Sequence, residues 1–235
     1  MKRTLCALGA ALLTTLASGA PLAGWSSADF TAEVDKVKAG QAALPTYATP
    51  EGRAVLDAAL APATVDRLRD EHVDMRQRLV ESARVVGGLG DFIMLYRDPL
   101  KQGQAVSTEF TNAVATMFKG VALESELLAQ LWAGADKSPA NQALVDANKL
   151  NASAANLKVL GSWAEVAQEA NLALTPVDRV RMLQSELDTM APIVANVNAA
   201  DRTKLGYKLR ALKVLSHDDA QGRLLDAMLA RVPGG

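Results

Sequence analysis

The chain is poor in cysteine, in aromatics and in net charge. Its only cysteine among 235 residues is Cys6. Past that residue there is no thiol, so disulfides and thiolate-bound metals are excluded from the rest of the chain. Aromatics make up 4% of a chain that is 49% hydrophobic. Ala and Leu carry the apolar content, a composition that favours helix over sheet. The net charge of −1 argues against a nucleic-acid binder, which is usually basic. Without Lys2 and Arg3 it falls to −3. After the N-terminal stretch, no run approaches the roughly 18 consecutive apolar residues of a membrane span.

Catalytic signatures are missing as well. There is no G-x-S-x-G, no H-E-x-x-H, no G-x-x-x-x-G-K-[ST] and no acidic calcium loop. Gly88-Leu89-Gly90 follows a helical pattern and not a strand, so it reads as a helix stop and not as a phosphate cradle. A carboxylate-bridged di-metal site needs Glu-x-x-His pairs. Arg69 and Val214 stand three residues before His72 and His217, which removes that site in its usual form. Covalent haem is removed by the lack of C-x-x-C-H.

What is present begins with an export signal. Lys2 and Arg3 form a positive start, Leu5 to Leu16 a short apolar core, and Ala17, Ser18, Gly19, Ala20 and Ala23 offer small residues for cleavage. Residues 1–24 are therefore expected to be a signal peptide, and 25–235 one soluble domain delivered to the periplasm or the exterior.

The remainder is amphipathic. From Val65 the apolar positions Leu68, His72, Met75, Leu79, Ser82, Val86 and Leu89 recur in steps of three and four among charged residues. This predicts one helix from Val65 to about Gly87-Gly88 with a single buried stripe. A second stripe joins Val180, Leu183, Leu187, Met190, Val194 and Val197, with Pro192 expected to kink it or end it early. Thr49-Pro50, Ser138-Pro139 and Thr175-Pro176 each pair a hydroxyl cap with proline at the first helical position. Further helices are predicted over Asp29–Ala39, Val106 to Met117 or Phe118, Val121–Trp132, Pro139–Leu172, Asp201–Leu215 and Asp218–Val232. Gly120 is expected to separate two of these, and Gly161-Ser162 to kink or break another. Leu150, Leu157, Leu160, Ala164 and Ala167 form an expected small-residue seam, while Asn141, Asn148, Asn151, Asn156 and Asn171 read as a solvated face. The fold class is all-α: a single-domain bundle of eight or nine helices. Val65-Asp66-Arg67-Leu68-Arg69 echoes Val177-Asp178-Arg179-Val180-Arg181, so two related halves are an option.

His72 is the one residue out of character on its stripe. A buried structural imidazole is the plainer reading. The sharper one makes His72 and Met75, on the same helical face, ligands for non-covalent haem or copper. Glu81-Ser82 and Glu124-Ser125 echo the dipeptide of helical enzymes that cleave cell-wall glycan. Neither is followed by the Gly-rich, Gln-containing stretch that resemblance to lytic transglycosylases requires. Arg202, Lys204, Lys208, Arg210 and Lys213 form the most basic stretch, read as an ordinary solvated flank. The expectation is an exported, non-enzymatic domain that binds a protein or envelope partner and uses no cofactor and no metal. The alternatives are a small-molecule, metal or haem bundle on His72, and then a carboxylate-dependent cell-wall enzyme.

Overall fold

A computed structural model describes residues 24–136, 138–216 and 218–232. The expected signal segment lies outside the described residues apart from Gly24, and so does His217. The chain is 77% helical with no strands among the described residues. Eight helices have ten residues or more: α1 (Ser27–Lys38), α2 (Pro50–Ala59), α4 (Met75–Met94), α6 (Ser107–Ala133), α7 (Pro139–Gln168), α8 (Pro176–Ala195), α9 (Ala199–Leu215) and α10 (Asp219–Ala230). Two short ones, α3 (Ala63–Asp66) and α5 (Arg97–Lys101), complete the set. The all-α expectation holds, and Thr49 and Thr175 cap α2 and α8 through their side chains as read.

Two compact units emerge. Among the described residues the first comprises 24–124 with Asn171–Ala173, and the second Ser125–Ala170 with 174–232. The division falls inside the continuous helix α6.

In the first unit α1 packs on α4. A capping box starts α1: the Ser26 side chain accepts from the Asp29 N–H, and Asp29 accepts from the Ser26 N–H at 2.7 Å. Four aromatic rings meet edge to face between the two helices and their approaches. Centroids are 5.0 Å apart for Trp25 and Phe30, 5.9 Å for Phe30 and Phe92, and 5.6 Å for Phe92 and Tyr96. Such pairs add about 0.5–1.5 kcal/mol each to what burial supplies. The Tyr96 hydroxyl donates to the Pro45 carbonyl at 2.8 Å. Glu109 of α6 accepts from the Tyr47 N–H at 2.8 Å, so the loop before α2 is held from both sides.

The helix expected from Val65 to Gly88 is not continuous. It opens as α3, tightens to a 3-10 turn over Arg67–Arg69, and stops. The Asp70 carboxylate takes the His72 N–H at 3.0 Å, and Asp74 takes those of Arg76 and Gln77 to start α4 afresh. Short acidic side chains thus capture backbone donors that the helix would have used. His72 is consequently exposed in a turn, off the buried stripe, and Met75 is the half-buried first residue of α4. The rest of the stripe behaves as read, with Val65, Leu68, Leu79, Ser82, Val86 and Leu89 buried.

Three glycines expected to end or break helices do neither. α4 runs through Gly87 and Gly88 to Met94, α6 through Gly120, and α7 through Gly161. A Cβ at Gly88 would stand 2.8 Å from the Phe30 Cβ, one at Gly120 2.8 Å from Val86 Cγ2, and one at Gly161 2.8 Å from Lys208 Cδ. Each marks a close approach inside a helix, where a missing side chain lets a neighbour in.

In the second unit α7 packs on α8 and α9, and α10 packs on the same two. Four helices therefore form a square with α7 and α10 at opposite corners. Leu160, Ala164 and Ala167 are buried as the seam predicted, but Leu150 is exposed. Of the asparagines, Asn151 and Asn171 are solvated, whereas Asn156 is buried and donates to the Ile193 carbonyl at 3.2 Å. α8 continues past Pro192 to Ala195. The echoed pentapeptides occupy different local structures: Val65 is buried in α3, and Val177 is exposed at the start of α8.

Candidate functional site

Helix α9 begins where Asn198 accepts the Asp201 N–H at 2.9 Å. Asp201 itself is drawn into a buried cluster, accepting from Ser153 at 2.6 Å, Asn198 at 2.9 Å and Lys204 at 2.8 Å. These donors hold its carboxyl below the ordinary carboxylate range, Lys204 contributing most. The cluster anchors α9 to α7 and positions everything that follows.

Leu205, Leu209 and Leu212 then point inward at steps of four and three and are buried. On the opposite side stand Tyr207, Val214 and Leu215, exposed to 65%, 84% and 64%, with exposed Ala211 between them. Tyr207, Ala211 and Val214 also follow steps of four and three, so they form a second stripe on the reverse of the first. A surface helix in a small bundle ordinarily turns charge outward; this one also turns apolar residues outward, with Lys204 and Arg210 beside them. The Arg210 guanidinium lies 5.2 Å from the Tyr207 ring centroid, close enough for a cation–π contact. Lys204, Lys208 and Lys213 pair with Asp201, Glu165 and Asp226 at 2.8, 2.9 and 2.6 Å.

Within reach of Lys208 lies an unusual acid. Glu186 of α8 is 1% exposed, and its Oε1 has no hydrogen-bond partner among the described residues. Burial raises its pKa well above the ordinary value, opposed in part by Lys208. Lys208 reaches this region because Gly161 leaves its stem room across α7. Burial thus disfavours the charged form of this carboxyl group inside the second unit. The spacing contains the signal for it, since Glu186 falls three residues after Leu183 and four before Met190, squarely on the α8 stripe.

The residues singled out from sequence do not converge. His72 and Met75 lie at the turn before α4, as described above. Glu81 pairs with Arg67 at 3.6 Å. Glu124 is pushed up to about 7 by burial, a value suited to proton transfer, but no group of three His, Cys, Asp or Glu side chains meets in a metal-holding arrangement among the described residues. A cavity of about 30 Å³ between Leu60, Ala61, Pro62, Val65, Asp66, Thr116 and Lys119 has room for about one water molecule. No described helix is long and apolar enough to cross a membrane. Comparison with protein-family models, curated proteins and solved structures finds no match.

Proposed function

We propose that this protein is an exported, non-enzymatic helical domain that acts by binding a protein or envelope partner. The observation that carries the reading is the exposed apolar stripe on α9. An exposed Tyr, Val and Leu on one helix face cost solvation in the isolated chain, and a face of that kind is a common signature of an interaction surface. The charged-apolar-small order of residues 1–24 supports export. His72 is exposed in a turn and Met75 half-buried beside it, which favours the binding-domain reading over the cofactor-binding one.

Chemical crosslinking of the full chain in its native cells tests this. A discrete higher-mass adduct containing a second protein or an envelope component, recovered from the secreted or periplasmic fraction, is the expected result. A chain that remains uncrosslinked in every fraction, or purifies with stoichiometric metal or haem, overturns it.

A further inference from the structure

The outer face of α9 is specific enough to say what covers it. From Tyr207 to Leu215 the stripe is about 12 Å long at the α-helical rise. Small Ala211 sits at its middle, between larger Tyr207 on one side and Val214 and Leu215 on the other. A small residue between large ones lets another helix approach closely, with a partner side chain seated over it. The borders are basic. At the helical repeat Lys204 and Lys208 flank the stripe on one side and Arg210 on the other, while Arg202 and Lys213 fall nearer the buried face. Lys204 and Lys208 pair with Asp201 and Glu165, so the three border cations outnumber these carboxylates by one. Arg210, beside the stripe and over Tyr207, has no carboxylate partner among the described residues.

Three occupants are conceivable, and charge separates them. A second copy would set the same basic borders against each other, and like-charge juxtaposition disfavours association. An anionic bilayer suits a broad face of bulky residues lying flat in the interface, whereas this stripe is narrow with alanine at its centre. A helix bearing its own apolar stripe between acidic borders matches both the shape and the sign.

We propose that the outer face of α9 receives an amphipathic helix of a partner protein whose apolar stripe is bordered by Asp and Glu. The proposal rests on the partner-binding reading above and adds the location and chemistry of the contact.

Two synthetic helical peptides test it, identical in a Leu stripe of coiled-coil spacing but flanked by Glu in one and Lys in the other. Their fluorescence anisotropy is titrated with the full chain. The Glu-flanked peptide is expected to bind about tenfold more tightly or better, the scale of a few rim charge pairs, with the gap narrowing as salt rises. Arg210→Glu should erase or invert the preference. Val214→Glu should abolish binding of both peptides while circular dichroism and the denaturation midpoint stay as in the parent. Failure of the Glu-flanked peptide to bind, equal binding of the two, or binding retained by Val214→Glu overturns the proposal. So does capture of phosphatidylglycerol vesicles without peptide binding, or a dimer that Val214→Glu dissociates. Each of these leaves the crosslinked complex of the previous section intact, so the site can fail without the function failing. Loss of the complex itself is the separate failure of the broader reading.

Discussion

The two units solve the same problem with different materials. The five fully buried aromatic side chains among the described residues, Phe30, Phe92, Tyr96, Phe110 and Phe118, all belong to the first unit. Six of the seven exposed large hydrophobics, including Leu144, Leu150, Tyr207 and Val214, belong to the second. The first unit hides its bulk in an edge-to-face aromatic cluster. The second is held by aliphatic contacts and buried polar bonds such as Ser153 to Asp201, keeps inside it a Glu186 whose Oε1 has no hydrogen-bond partner among the described residues, and leaves apolar groups outside. The buried carboxyl and the exposed apolar groups both oppose the stability of the second unit. Those are the features expected of a surface shaped for a partner.

The contrast can be broken most severely at Phe92, which touches Trp25, Phe30 and Tyr96. Phe92→Ala should cost about 3–5 kcal/mol in urea denaturation. A loss under about 1 kcal/mol would mean that the aromatic cluster does not hold the first unit together.

The helix glycines sharpen the comparison at smaller scale. Gly88 faces the rigid base of the Phe30 side chain, so Gly88→Ala should lose about 1–3 kcal/mol through overpacking. Gly161 faces only the flexible stem of Lys208. There Ala gains about 1 kcal/mol of helix propensity, and the displaced lysine offsets part of it. Equal penalties at the two sites would contradict the reading of one rigid and one yielding contact.

Glu186 makes the second unit pH-sensitive. Its pKa is raised on folding, so the folded chain binds the extra proton. Stability from this group is fully present below the unfolded value of about 4.5 and is lost as pH rises toward the folded pKa. Glu186→Gln removes the titration, so its denaturation midpoint relative to the parent should climb between pH 4 and pH 8. A difference that stays constant over that range would show that Glu186 ionises normally.

The smallest effect is expected at His72. Exposed in its turn, it should tolerate leucine within about 0.5 kcal/mol, as measured by denaturation at pH 7.5. A loss of several kcal/mol would return it to the core.

Periodicity made most of the architecture legible, because buried stripes repeat wherever a helix meets a core. Val180 to Val197 and most of Val65 to Leu89 could be traced this way. Local chemistry defeated the rest. Asp70 and Asp74 interrupt the Val65 stripe by side-chain capture, a competition that apolar spacing does not register. Gly88, Gly120 and Gly161 look like stops in a linear reading, yet each is explained by a residue distant in sequence. The division between units falls at Glu124 and Ser125 within α6, where no change of composition marks it. At the candidate site the signal was present in the wrong place. His72 stood out by being polar on an apolar stripe, while Tyr207, Ala211 and Val214 kept an apolar stripe where a polar one belonged.

That second stripe carries the central claim, and hydroxyl-radical footprinting reads it directly. The full chain should be labelled strongly at Tyr207, Val214 and Leu215 when alone, with Phe92 and Tyr96 protected. In the crosslinked complex the three α9 residues should become protected while exposed residues elsewhere keep their labelling. Equal labelling of Tyr207, Val214 and Leu215 in the free chain and in the complex would contradict the account.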